Sequence, residues 1–302
     1  MPKSEFTFLD KVTWEIQAPK CQTIPLIFSS PHSGRDYPPE FIAASSLDLL
    51  QLRRSEDAFV DEIYASARSL GAPLLRALFP RAFVDANRPP YELDPEMFDC
   101  QLPDFVRTKS VRISAGLGTI PKIVAEGLQI RNDLMTFKEA KTRIDKCYYP
   151  YHDTLLRLIN QTLAQFGTAV VIDCHSMPSN FTPNRRGQSL KNVDIVLGDL
   201  HGTSCHAAIT KAALEGFTEL GYNVTWNKPY AGGYITRCYG QPRKGVHALQ
   251  IEINRNLYMD EQAIERAPGL PKLAHDISCL IRSISDTSNR VLMRHTSVKA
   301  AE

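Results

Sequence analysis

Ala169-Val-Val-Ile-Asp-Cys-His175 is the stretch that decides the fold. Four small or β-branched apolar residues run without a polar break before Asp173, which predicts a strand buried on both faces. Working outward, Lys138–Phe166 has long helical periodicity, so a helix feeds that strand. Further back, Pro25-Leu-Ile-Phe-Ser-Ser reads as a second buried strand that ends in Pro31-His32-Ser33-Gly34. Residues from about Pro39 to Leu70 read as helix in two pieces, the second with Ala58, Phe59, Ile63, Ala67 and Leu70 on one face. Ala72–Leu78 and Ala82–Asp85 read as strands, and Asn87-Arg88-Pro89-Pro90 stops the latter. Asp94–Thr119 reads as an ordered surface excursion and Ile120–Gln129 as helix. On the carboxyl side, Val193–Gly198, Asn223–Trp226 and His247–Ile253 read as strands, and Ser204–Leu220 and Ala263–Ile284 as helices. The last dozen residues are expected to fray.

Strands that alternate with helices, with no low-complexity linker and no internal repeat, predict one α/β domain with helices on both faces of a sheet. That domain is expected to occupy residues 1–302, with its core at about 24–285. The chain has 302 residues, 43% of them hydrophobic and 23% charged, which excludes a mainly disordered or fibrous protein. Thirty-five basic and 33 acidic residues give a net charge of +2, too balanced for a general binder of nucleic acid or anionic membrane. Seven scattered cysteines without a CxxC pair argue against a disulfide framework or a thiolate zinc site. The amino-terminal MPKSEFTFLDKVTWEIQ lacks the apolar segment of a signal peptide. No apolar run of about 18 residues is long enough to span a membrane. A reducing cytoplasm is the expected compartment.

The polar residues at strand ends converge on one crevice in such a sheet: His32, Asn87, Arg88, His175, Asp199 and Glu252. Gly34, in SSPHSG, permits a close backbone approach beside His32. Two histidines at strand ends can supply imidazoles to a zinc ion, which takes two histidines and a carboxylate and keeps a position for water. Both also fit as plain hydrogen-bonding loop residues. Asp57 and Glu56, after Ser55, are either the acidic start of a helix or the source of the carboxylate. Arg81 and Arg88 offer planar forks for a carboxylate, or a structural pair of Arg81 with Asp85. Glu252, flanked by Ile251 and Ile253, is costly to bury without a role, as a general base or in an ion pair with Arg255. Cys174 is read as inert packing, since it points to the opposite face from His175. Gly232-Gly233 and AGLGTIP, which ends at Pro121, lack a phosphate-loop lysine and read as loops.

Taken in order, SSPHSG, SEDAFVDEIY, RAFVDANRPP, VVIDCHSMP, DIVLGDLHG, PYAGGYIT and ALQIEINRNLY resemble the N-formylglutamate amidohydrolase family from about Pro25 to Glu261. The resemblance implies a single three-layer α/β/α domain around a mixed, mostly parallel sheet, related in fold to zinc carboxypeptidases and aspartoacylases. It implies one Zn2+ per chain on His32, His175 and Asp57, with Glu56 as the alternative carboxylate. It also implies Glu252 as the catalytic glutamate, and Asn87 and Arg88 as the grip on a substrate carboxylate. Arg81, Arg237 or Arg243 would take a second carboxylate. The carboxypeptidase-like His-x-x-Glu is absent, because Arg35 stands three residues after His32. The implied reaction is hydrolysis of N-formyl-L-glutamate to L-glutamate and formate in histidine breakdown. The implied partner is a small anionic substrate, with neither nucleic acid nor membrane. Two alternatives stay open: a zinc hydrolase of another N-acyl amino acid or small peptide, and a non-catalytic protein that binds an anionic ligand.

Overall fold

A computed structural model describes residues 11–124, 127–179 and 193–292. Residues 1–10 and 293–302, where most of the amino-terminal reading and of the expected frayed tail fall, lie outside the described residues. The fold is α/β. A seven-stranded sheet runs in the order β1 (Trp14–Gln17), β3 (Leu74–Ala77), β2 (Leu26–Ser30), β4 (Ala169–Met177), β7 (Val246–Asn254), β5 (Ile195–Gly198) and β6 (Val224–Trp226). The apolar run at 169–175 is the centre of this order, and all nine residues of β4 are buried. β4 pairs in parallel with β2 and β7, and β6 with β5, whereas β5 runs antiparallel to β7. The sheet is therefore mixed and mostly parallel. β8 (Met259–Asp260) and β9 (Glu265–Arg266) form a separate small hairpin.

By compactness the chain divides into two units: residues 1–15, 31–58 and 76–154, and residues 16–30, 59–75 and 155–302. The first holds α1 (Pro39–Ala43), α2 (Leu49–Arg53), α4 (Val111–Ser114) and α5 (Phe137–Arg143). The second holds α3 (Val60–Ile63), α7 (Ala207–Glu219), α8 (Tyr234–Tyr239) and α9 (Leu270–Val291). In the second unit α7 packs on α9 and on β5, so apolar faces of Ile209, Ala213 and Phe217 are fully buried. α5 passes through a π-helical turn at Ile144–Tyr148 into α6 (Tyr149–Phe166), close to the helix expected over 138–166.

Four expectations are corrected. The segment 39–70 breaks into short pieces, α1, α2, α3 and a 3-10 turn at Ala65–Ala67. Phe59 takes a left-handed φ of 65° that no continuous helix tolerates. Residues 82–85 are a turn and not a strand. Phe83 and Val84 donate backbone N–H to Pro80 O, and Arg81 reaches Asp85 across the turn at 3.1 Å. Among the described residues, 120–129 holds no α-helix: Val124 N bonds Leu128 O and Ile130 N bonds Lys122 O, contacts that an α-helix does not make. The last helix begins at Leu270, not 263, because the β8–β9 hairpin occupies the preceding residues, and it runs on to Val291.

Candidate active site

In the first unit the site is organised by the 81–88 turn. The ring of His32, 2% exposed, brings Nε2 to 2.8 Å from Asp85 Oδ1 and Nδ1 to 3.3 Å from Asp57 Oδ2. The backbone is bound as well, since Asp57 N donates to His32 O at 3.0 Å. The glycine of SSPHSG has the expected use: a Cβ on Gly34 would lie 2.0 Å from Phe79 O, so no other residue lets these two backbones meet. Asp85 is the hub. Its Oδ1 accepts from His32 and from Asn87 N at 2.9 Å, and its Oδ2 faces Arg81 Nε at 3.1 Å and Arg88 at 3.4 Å. Burial pushes the Asp85 carboxyl pKa up, but Arg88, His32 and Arg81 together outweigh it and hold it well below the usual range.

The elements around that turn fix it from outside. Asp85 N donates to Thr119 O, and Arg88 Nε donates to Leu117 O at 3.0 Å, so the AGLGTIP segment clamps both ends. Tyr148 Oη, in the π-helical turn, donates to Arg88 O at 2.8 Å, and His152 Nε2 lies 2.8 Å from Ala86 O. Burial draws the Arg88 pKa down to about 10, which leaves it cationic at neutral pH. Glu56, the alternative carboxylate, is turned to Arg53 at 3.1 Å, and desolvation raises its pKa. Neither Asp57 nor Glu56 opens a helix, because both lie in the loop between α2 and α3.

In the second unit, His175 and Glu252 are direct partners in the β4–β7 register, and Asp173 and Gln250 are the pair before them. The period of two along each strand puts all four on one face of the sheet. They form a polar square inside an apolar sheet, each residue at most 9% exposed. Gln250 Nε2 donates to Glu252 Oε1 at 2.8 Å, and His175 Nε2 lies 3.0 Å from Asp173 Oδ1. Arg255 Nε donates to Ser176 Oγ at 3.1 Å. Both His175 and Glu252 are within their strands, not past the ends as expected. Cys174 points away, donates to Ile172 O, and has its thiol pKa raised well up by burial. Asp199 holds a turn through Gly202 N, Thr210 Oγ1 and Asn227 Nδ2. Arg237 is exposed on α8. Arg243 lies in the turn before β7, six strand residues and roughly 20 Å from Glu252 at about 3.3 Å per residue.

One ligand atom from each of His32, Asp57 and His175 lies within 4.8 Å of the others, and all three residues are buried. The donor set suits a divalent ion. With Asp85 accepting from His32 Nε2–H, the tautomer leaves a lone pair on Nδ1, 3.3 Å from an Asp57 oxygen. Two acceptors that close, in a buried place, call for a cation between them. The Asp85–His32 pair is also the arrangement in which a carboxylate orients an imidazole toward a metal. Asp85 and Gln250 were not singled out as site residues from sequence. For Gln250 the available signal was a polar residue two before Glu252 in β7, as Asp173 stands two before His175 in β4.

Known proteins resemble the chain in sequence and in fold. A sequence model described as N-formylglutamate amidohydrolase matches residues 24–259. An N-formylglutamate deformylase of Pseudomonas putida is 30% identical over 245 residues, 79% of this chain and 83% of that one. The protein of the same description from Pseudomonas aeruginosa is 31% identical over 253 residues, 82% and 87% of the two chains. The crystal structure of N-formylglutamate amidohydrolase from Ralstonia eutropha JMP134 superposes with a TM-score of 0.87 at 32% identity, covering 93% of this chain and 99% of that one. A gene product of Agrobacterium tumefaciens, 19% identical with a TM-score of 0.67 over 95% and 97% of the two chains, shares the fold. The chain belongs to the N-formylglutamate amidohydrolase family and is a hydrolase of a linear amide C–N bond.

Proposed function

We propose that the chain hydrolyses N-formyl-L-glutamate to L-glutamate and formate, as a single-domain, metal-dependent enzyme of histidine breakdown in the cytoplasm. The observation that carries this reading is the buried His32–Asp57–His175 group in a chain of this family. Those three residues would hold one divalent cation, and two imidazoles with one carboxylate favour zinc. When bound, such an ion supplies Lewis acidity to the formyl carbonyl and makes water a better nucleophile near neutral pH.

The remaining work falls to the chain's own side chains. Glu252 takes a proton from the attacking water and delivers it to the departing amine nitrogen, so that the C–N bond breaks to formic acid and the free amine, and the acid's proton then passes to the amine to leave formate and an ammonium group. Gln250 fixes one Glu252 oxygen through its amide N–H, which sets the direction of the carboxylate. Asn87 and Arg88 hold one substrate carboxylate. Arg88 stays charged, and Leu117 O, Asn87 O and Asp85 lock its guanidinium plane. Arg81 or Arg237 takes the second carboxylate, since Arg243 lies toward the other end of β7. Seven free cysteines agree with a reducing compartment, and no helix among the described residues is long and apolar enough to cross a membrane.

Formate release from a panel of N-formyl, N-acetyl and N-carbamoyl amino acids tests the proposal. N-formyl-L-glutamate is expected to give the highest kcat/KM. A higher value for another acyl group or amino acid would reassign the substrate. No turnover of any member by metal-replete protein would leave a protein that only binds its ligand.

A further inference from the structure

In the second unit α9 runs for 22 residues and buries Leu273, Ile277, Leu280, Ile281 and Ile284. The helical period then turns His275 and Cys279 outward, and both are exposed. Four residues apart, their side chains are neighbours on the helix surface. The Cys279 sulfur lies 4.0 Å from His275 Nε2, too far for a strong hydrogen bond. A tetrahedral ion with a metal–sulfur bond of about 2.3 Å and a metal–nitrogen bond of about 2.0 Å sets the two ligand atoms about 3.5 Å apart. Rotation of two exposed side chains by about 0.5 Å therefore completes a chelate.

Cysteine is among the residue types most often buried, so a sulfur presented to solvent beside an imidazole invites a chemical use. Thiolate and imidazole together form a soft donor pair, which suits zinc and its heavier relative cadmium and does not suit magnesium or calcium. The charges nearby leave the pair open. Asp276, 5% exposed, is engaged on one oxygen by Lys272 Nζ at 2.6 Å and by Tyr222 Oη at 2.6 Å, so it is not offered as a third ligand. Arg282, three residues after Cys279, is exposed and its charge is screened by water and salt. The remaining positions on an ion would be taken by water. We propose that His275 and Cys279 form a second metal site, for a thiophilic divalent cation of the zinc class. With two protein ligands at the surface, it binds more weakly than the buried His32–Asp57–His175 group and fills after it.

The test is a titration of reduced, metal-stripped full-length protein with cadmium chloride, followed by the ultraviolet absorbance of sulfur-to-cadmium charge transfer. The buried group contains no sulfur, so cadmium bound there adds nothing to this band, and formate release plays no part in the readout. A saturable band is expected. Cys279→Ser should abolish it, and His275→Gln, which keeps the sulfur, should weaken the apparent affinity about tenfold or more. Cys21→Ser and Cys100→Ser, which remove two other exposed thiols, should leave the band as it is in the parent protein. His175→Ala should leave it as well. No band in the parent protein, a band that survives Cys279→Ser, an affinity unchanged by His275→Gln, or loss of the band in Cys21→Ser, Cys100→Ser or His175→Ala would overturn the assignment.

Discussion

Asp85→Asn is the substitution that isolates how the site is held. Asparagine keeps the size and one acceptor oxygen but removes the charge that faces His32, Arg81 and Arg88. Two effects follow from the structure. His32 loses the carboxylate that fixes its tautomer, and loss of such an orienting group typically weakens metal binding about 10–100-fold. Arg88, 10% exposed, becomes a buried cation without its main counter-charge, a change worth about 3–5 kcal/mol of stability. An unfolding entropy of about 2.1 cal/mol/K per residue gives about 0.6 kcal/mol/K for a chain of this length, so Tm should fall by about 5–8 °C. The stability assay is thermal unfolding of metal-free protein, which separates the ion pair from the metal. The affinity assay is competition for zinc against a chelator of known strength. Arg81→Ala is the control: Arg81 is 23% exposed and leaves Arg88 on Asp85, so its loss should cost about 1 kcal/mol or less. An Asp85→Asn protein with unchanged Tm and unchanged zinc affinity would refute the view that Asp85 holds His32 and the arginines around it in place.

Other expectations are simpler. Glu252→Gln should keep its metal and lose about two or more orders of magnitude in kcat, and near-normal turnover would move the general base elsewhere. Arg88→Lys keeps the charge without the fork. It should raise KM for N-formyl-L-glutamate more than for an analogue in which one carboxylate is an amide, and equal losses on both would mean that Arg88 only supports the turn. His247 offers a pH test away from the site: desolvation first, and His206 second, push its pKa down to about 4. Its ordinary value near 6.5 then belongs to the unfolded chain, so the stability it permits is complete above about 6.5 and is lost as pH falls toward 4. His247→Gln should flatten part of that slope in urea titrations, and an unchanged slope would show that other groups carry it.

The strands were legible in the sequence because burial on both faces leaves an uninterrupted apolar run, as in 169–172, that no solvent-exposed helix can imitate. The regions that resisted reading are those where tertiary contacts override local pattern. Ala82-Phe83-Val84 has the composition of a strand, yet Pro80 nucleates a turn, and the charges of Arg81, Asp85 and Arg88 close it. Helical spacing at 58–70 is real, but Phe59 adopts a left-handed conformation that periodicity does not report. His32, Asp57 and His175 were each visible as residue types beside apolar runs. Their meeting was not, since separations of 25 and 118 positions follow no spacing rule and depend on the parallel order of the sheet. The role of Gln250 depended on register: only the pairing of 173 with 250 and of 175 with 252 makes four separate polar residues into one square.

The most direct test is a zinc titration of metal-stripped protein, followed by formate release from N-formyl-L-glutamate. Activity should be absent without metal, rise linearly with added zinc, and saturate at one ion per chain. His32→Ala, Asp57→Ala and His175→Ala should each abolish the stoichiometric phase. Full turnover by the stripped protein, or an unchanged titration in the folded His32→Ala and His175→Ala variants, would contradict a metal-dependent hydrolase built on these three residues.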